Sequence, residues 1–315
     1  MRLDDIPLPE GAEERAWRVT RAAFEERSPV PMRRKPRRPL LVLAGAVALA
    51  GAVASPPGQA VLDSIREQVG VERAQPALFS LPTAGRLLVE SREGPWIVQA
   101  DGSKRLLGAY REAAWSPFGR YVVAARANEL AALETDGDVR WSLARPNVRF
   151  PRWAGTLTDT RIAYLSGTSL RVVAGDGTGD RLLRRNVAAR APVWLPGEDF
   201  RIAYTDRRGR TVVVDADSGR RLPGTAGGTG NDPIVRHRGA ASEVVVDGRV
   251  VFRGTGEFRD AVRSPDGRWV LLTWPTADQF VFVRVAGSRK ITAVSGMTQQ
   301  FGGGAFPRIA GWCCA

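Results

Sequence analysis

From residue 75 onward, apolar residues fall into short runs cut off by Gly, Pro, Asp or Ser. Examples are Leu87-Leu-Val89, Tyr121-Val-Val-Ala-Ala125, Arg161-Ile-Ala-Tyr164, Arg201-Ile-Ala-Tyr204 and Trp269-Val-Leu-Leu272. Runs this short, rich in Val, Ile and aromatics and bounded by turn formers, read as strands buried on one or both faces. The first 75 residues follow a different pattern. Ala12, Ala16, Val19, Ala23 and Phe24 recur at helical spacing, so residues 9–27 predict a short helix, ended by Ser28-Pro29-Val30-Pro31. A basic cluster follows (Arg33, Arg34, Lys35, Arg37, Arg38), and the next charged residue is Asp63. The apolar run Leu40 to Ala54, extended to Pro57, makes roughly 27 Å of helix at ~1.5 Å per residue, close to the ~30 Å of a bilayer core. Val61, Leu62, Ile65, Val69 and Val71 then mark an amphipathic helix over residues 60–74.

These patterns divide the chain into a cytoplasmic tail (1–38), a transmembrane helix (39–57), a juxtamembrane amphipathic helix (58–75) and a β-rich domain (76–315). The five cations before the apolar run, against none in Ser55–Ala60, keep the N-terminus in the cytoplasm and export the rest. A plasma-membrane protein with one span and an extracytoplasmic domain is expected. Ala52-Val53-Ala54 before Ser55 also suits signal cleavage, but a 38-residue leader is long for a signal peptide. No cysteine follows the run, which excludes a lipoprotein.

The β-rich part repeats. One element is a strand ending in Asp-Gly or a relative of it, with glycines at 102, 137, 177, 219, 248 and 287, spaced 35, 40, 42, 29 and 39 residues apart. A second is an aromatic or apolar position, a Pro/Gly turn and a strand: Trp115-Ser-Pro-Phe-Gly-Arg120, Trp153-Ala-Gly155, Trp194-Leu-Pro-Gly197 and Val262-Arg-Ser-Pro-Asp-Gly267. Pro presets φ and Gly accepts positive φ, as a tight turn needs. A period near 37 residues suits propeller blades of four short strands. Phe306-Pro-Arg-Ile-Ala-Gly-Trp312 repeats the lead-in Phe150-Pro-Arg-Trp-Ala-Gly155, yet the first repeat at Gly85 has no lead-in of its own. The last strand is therefore expected to complete blade one and close a ring.

The Trp-Ser-Pro-x-Gly-Arg strands, each followed by a strand ending in Asp-Gly, resemble the WD-like repeats of TolB-type β-propellers over residues 80–312. The layout also resembles single-pass propeller proteins of GC-rich bacteria. The resemblance implies an all-β, six-bladed propeller preceded by one transmembrane helix and short amphipathic helices. Pro233 to Arg259 is short for a full blade, so five blades is the alternative. The motif says little of function, because propellers host binding modules and enzymes alike.

Composition narrows the chemistry. Lys and Arg number 46 against 33 acidic residues, for a net charge of +13, but only Lys35, Lys104 and Lys290 are lysines. An arginine bias spread over turns and strand ends reflects a GC-rich genome better than a phosphate-binding face, so nucleic acid is not expected as a partner. One histidine and an adjacent Cys313–Cys314 pair cannot build a Cys/His metal site. The cysteines read as small apolar residues of the last strand, or as a vicinal disulfide in an oxidising compartment. His237 lies among Arg236 and Arg238, which disfavours a protonated imidazole. A Gly-x-Ser-x-Gly elbow is absent, and Gly224-Thr-Ala-Gly-Gly-Thr-Gly230 lacks the Lys-Ser/Thr of a phosphate loop. Asp176, Asp180, Asp215 and Asp217 fit Asp-Gly turns without a cation. No catalytic residue, cofactor or metal is assigned.

Ser-Pro-x-Gly and Asp-Gly turns fall on one face of such a ring, and the remaining loops gather on the other. That second face carries the candidate binding residues Arg126, Glu129, Arg149, Arg152, Arg190, Asp206, Arg207, Trp274, Asp278 and Gln279. The expected role is a membrane-anchored binding or scaffold module for a protein or cell-envelope component. The alternatives are a propeller enzyme of lyase, lactonase or cyclotransferase type with a carboxylate-based site, and a structural accessory subunit of an envelope complex.

Overall fold

The computed structural model describes residues 80–197, 199–224 and 232–314. The expected tail, transmembrane helix and amphipathic helix lie outside these residues, as does most of the Gly-rich stretch 224–230. No helix among the described residues is long and apolar enough to cross a membrane.

Twenty-three strands form six antiparallel sheets. β1 (Arg86–Glu90), β2 (Pro95–Val98) and β3 (Lys104–Leu106) begin blade one. Blade two holds β4 (Glu112–Trp115), β5 (Tyr121–Arg126), β6 (Glu129–Glu134) and β7 (Val139–Ala144). Blade three holds β8 (Val148–Gly155), β9 (Thr160–Ser166), β10 (Ser169–Ala174) and β11 (Arg181–Arg184). Blade four holds β12 (Val193–Trp194), β13 (Arg201–Thr205), β14 (Thr211–Asp215) and β15 (Arg221–Leu222). Blade five holds β16 (Ile234–Arg238), β17 (Ala241–Val246) and β18 (Arg249–Thr255). Blade six holds β19 (Ala261–Arg263), β20 (Trp269–Trp274), β21 (Gln279–Arg284) and β22 (Ile291–Ser295). A helical turn, α1 (Met297–Gln300), leads to β23 (Arg308–Cys313), which pairs with β1.

Where a blade is packed on both faces, its middle strands are apolar. All six residues of β20 are buried, as are Val122 to Ala125 of β5. Apolar clusters join blades six and one, one and two, two and three, three and four, and five and six. Six sheets joined in that order, with the last strand completing the first sheet, form a β-propeller. The closing register is Leu87 to Trp312, Leu88 to Gly311 and Glu90 to Arg308, as the repeated lead-in required.

The two turn motifs have local causes. In Ser116-Pro-Phe-Gly119 and Ser264-Pro-Asp-Gly267, the Gly N–H donates to the Ser carbonyl at 2.9 Å in each case. The Ser hydroxyl accepts the N–H of Tyr121 or Trp269, five residues on, also at 2.9 Å. Gly119 has φ of 64°, and a Cβ there would fall 2.5 Å from Sγ of Cys314. Cys313 and Cys314 are joined to each other by a disulfide seated on that turn. In the Asp-Gly turns the Asp carboxylate accepts the N–H two residues on, as Asp101 does from Ser103 and Asp176 from Thr178. Outer strands reach sideways into the next blade's turn: Arg105 donates to the Asp136 carbonyl, Trp141 to Gly175 and Arg181 to Ala216.

Six sheets set aside the five-blade alternative, although blade five has only three strands among the described residues. Gly256 N–H donates to the Ala240 carbonyl, and Arg259 N–H to that of Thr273, which places the β16–β17 turn beside the entry to β19. β16 therefore runs in the direction of β5 or β13, the second strand of a blade. The innermost position of blade five is the one that no described strand fills. β16 pairs only with β17 there, and four of its five residues are exposed.

Candidate binding site at the loop-rich end of the ring

Because strands alternate in direction, the Ser-Pro-x-Gly and Asp-Gly turns share one end of the sheets. The entries to the first strands and the second-to-third hairpins share the other. The ten candidate residues all fall at that second end, but they do not form one surface. Arg126 and Glu129 flank the β5–β6 hairpin, ion-paired at 2.6 Å, with the Arg126 guanidinium over the Tyr110 ring. Arg190 is exposed in the loop before β12. Asp206 accepts the N–H groups of Arg208 and Arg210 and pairs with the Arg210 side chain at 2.8 Å, while Arg207 is exposed beside it. Asp278 sits at φ 52° and accepts the N–H and hydroxyl of Thr298, tying the β20–β21 connection to α1.

Two candidates are corrected by burial. Trp274 is fully buried, edge-on to Phe258 at 5.1 Å and Phe252 at 6.0 Å in the seam between blades five and six. Gln279 is buried opposite it in the β20–β21 ladder. Both belong to the packed blade, so neither can meet a partner at the surface.

Arg149 and Arg152 mark the most developed site. β8 carries a bulge between these two residues, so Phe150 and Pro151 drop out of the ladder with β9. Phe150 adopts φ 54°, unusual for a side chain of this size, and Pro151 follows it. Glu112 holds the bulge, accepting the N–H of Phe150 on one oxygen and Arg149 Nε at 2.8 Å on the other. Such a bulge re-aims the residue beyond it. Here that residue is Arg152, which lines a cavity of about 120 Å³ with Glu90, Glu112, Arg149, Phe150 and Arg308. The walls come from the ends of β1, β4, β8 and β23, so three blades contribute.

The charges in this cavity are unequally committed. Arg149 is paired with Glu112, and Arg308 lies 3.7 Å from Asp260. Arg152 has no ion-pair partner among the described residues, and Nη1 donates only to its neighbour's carbonyl, Pro151 O, at 2.8 Å. Burial lowers the Arg152 pKa below that of a free guanidinium. Glu90 accepts the N–H of Ala113 at 2.7 Å, and burial pushes its carboxyl above the usual range in spite of that bond. Beside the cavity runs an open groove lined by Ala109, Arg111, Arg126, Asn128 and Glu129, with the consecutive residues Arg111 and Glu112 linking the two.

Glu90, Glu112, Asp260 and Arg308 were not among the candidates. Their sequence signal is slight: each is a charged residue at the end or entry of an apolar strand. The carboxylates considered as cation ligands are engaged elsewhere. Asp180 is held by Arg145, Arg171 and Tyr164, Asp215 by Ser218 and Asp217 by Arg181. His237 Nδ1 lies 2.9 Å from the Ser242 hydroxyl.

No family model and no curated protein sequence matches the chain. Among solved structures it is similar to the β-propeller domain of Cps50 (Swd1) from Myceliophteria thermophila, at 13% identity and a TM-score of 0.41. That match covers 72% of this chain and 89% of the other. The six sheets and their closure, not this likeness, carry the fold.

Proposed function

We propose that the chain is a membrane-anchored binding module whose propeller, on the extracytoplasmic side, recognises a protein or cell-envelope component through its loop-rich end. The observation that carries this reading is the cavity at the loop-rich end, where side chains from three blades converge around Arg152, a guanidinium with no ion pair among the described residues. A rigid ring presenting variable loops is a platform for recognition. The basic cluster Arg33 to Arg38 ahead of the apolar run 40–54 supports the anchor and its orientation.

A carboxylate-based enzyme is the second reading, and it draws on Glu90, a half-buried carboxyl lining the cavity. Glu112, the other carboxylate of the cavity, is bound on both oxygens by Arg149 and Phe150. A free base to work with Glu90 is therefore missing from the described walls, which favours binding over turnover.

The test is photo-cross-linking in intact cells, with a photoreactive residue at Arg126 or Arg207 on the loop-rich end, or at Phe118 on the opposite turns. A single partner captured from the first two positions, but not from Phe118, is expected. Equal capture from both ends would overturn the assignment of the face. A fusion after residue 75 that is active as a cytoplasmic reporter and inactive as an exported one would overturn the topology.

A further inference from the structure

We propose that the cavity lined by Arg152 at the loop-rich end is a socket for one carboxylate, the side chain of an Asp or Glu in the bound partner, gripped by Arg152. This rests on the binding reading above and names the chemistry of its contact.

Charge counting selects a single negative charge. The lining carries three guanidinium groups, Arg149, Arg152 and Arg308, against two carboxylates, Glu90 and Glu112, an excess of one positive charge. Arg149 is committed to Glu112 and Arg308 lies 3.7 Å from Asp260, while Arg152 is half-buried, with four of its five N–H groups making no bond to a described protein atom. A guanidinium offers a planar fork that matches a carboxylate on two bonds. Glu90 lines the same cavity, and its carboxylate is turned to the Ala113 N–H at 2.7 Å with no ion pair to Arg152 among the described residues. A phosphate dianion would bring two charges to a site with one to neutralise.

Size selects a side chain over a free metabolite. Pockets that enclose small molecules run to about 300–1,000 Å³. The cavity here is about 120 Å³, enough for the end of a short side chain. The groove past Arg111 and Asn128 gives the rest of an extended peptide a path outward along the β3–β4 loop and the β5–β6 hairpin of blade two. The bulge at Phe150 and Pro151 serves the same end. A regular β8 would keep both residues in the ladder, and the bulge frees Arg152 to face the cavity.

The test uses the full-length chain in detergent and fluorescent pentapeptides acetyl-Gly-Gly-X-Gly-Gly, with X as Glu, Asp, Gln or Arg, followed by anisotropy. The Glu or Asp peptide should bind at least tenfold more tightly than the Gln peptide, and the Arg peptide should not bind. R152Q should lose that preference, while R105Q, on an outer strand away from the cavity, should keep it. Equal binding of Glu and Gln peptides, or a preference that survives R152Q, overturns the socket. Should R152Q fail to melt cooperatively, the Glu-to-Gln ratio on the wild-type chain decides alone. Succinate displacing the Glu peptide at lower concentration than the unlabelled peptide itself would overturn the side-chain assignment in favour of a free dicarboxylate. Cross-links to a partner that persist in a folded R152Q would leave the binding reading standing and remove only the socket.

Discussion

The seam between blades six and one and the seam between blades four and five are built from different materials. The first brings together Leu87, Val89, Trp269, Phe280, Phe282, Phe301, Ile309 and Trp312 in one apolar cluster, with Phe282 edge-on to Trp312 at 5.8 Å. At the second, Ala203 and Val213 of blade four face the side of blade five that carries Glu243 and Val245, and no apolar cluster spans them among the described residues. Glu243 is buried there with Arg253 and Arg238 around its carboxylate. Among the described residues the ring is thus most heavily packed where the first and last strands meet, and most lightly packed between blades four and five. Closure of a propeller by its last strand leaves two distant segments to hold each other, and large rings supply that grip. Adjacency in sequence does not by itself lighten a seam, since blades five and six meet through Phe252, Phe258 and Trp274; between blades four and five lie instead short side chains and the Glu243 ion pairs.

The largest effect that would break this contrast is a cavity in the heavy seam. F282A should cost about 3–5 kcal/mol in urea unfolding, and V213A, in the light seam, about 1–2 kcal/mol. Equal losses would mean that the two seams are equivalent. The second effect concerns polar joins. Asp180 is almost fully buried, and it links Arg145 of blade two to Arg171 and Tyr164 of its own blade. D180N should cost about 3 kcal/mol, because it strands two guanidinium groups.

This residue also sets a pH dependence. Burial pushes the Asp180 carboxyl up, but the bonds from Arg171, Tyr164 and Arg145 outweigh burial and hold it below its usual value. A group depressed by folding stabilises the fold above its unfolded value, about 3.9. That contribution drains away as pH falls from there through the folded value. Wild-type stability should therefore drop below about pH 4 more steeply than that of D180N, as melts across an acid series would record. The smallest effect is expected at the vicinal disulfide. A bridge between neighbours closes almost no loop, so C313S/C314S should lower stability by only about 1 kcal/mol. A larger loss would show that packing on Gly119, not loop entropy, is what the bridge supplies.

Much of the ring was legible because turns are written locally. Ser116-Pro-Phe-Gly119 and Asp176-Gly177 specify their own hydrogen bonds, and the orphan lead-in at Phe306 foretold the strand that completes blade one. The short span of blade five drew attention to that blade, which has three strands among the described residues. Which position no described strand fills depends on the direction of β16, a tertiary fact. Trp274 misled for the same reason: beside a loop in sequence, it is covered by Phe252 and Phe258 of the neighbouring blade. The cavity itself was only half visible. Arg149 and Arg152 stood out, but Glu90 and Arg308, at opposite ends of the domain in sequence, share a site only because β1 pairs with β23.

That pairing also orders events in folding. Blades two, three and four each draw their strands from one continuous stretch, and can form as the chain emerges. Blade one cannot, because Leu87 waits for Trp312 across nearly the whole domain. Contacts of such long sequence separation slow folding, since the loop between them must be closed before they contribute. Until β23 arrives, β1 presents an unpaired edge flanked by exposed apolar residues, and the final strand of a neighbouring copy would fit it equally well. The strand that closes the ring is therefore also the one through which two copies could exchange.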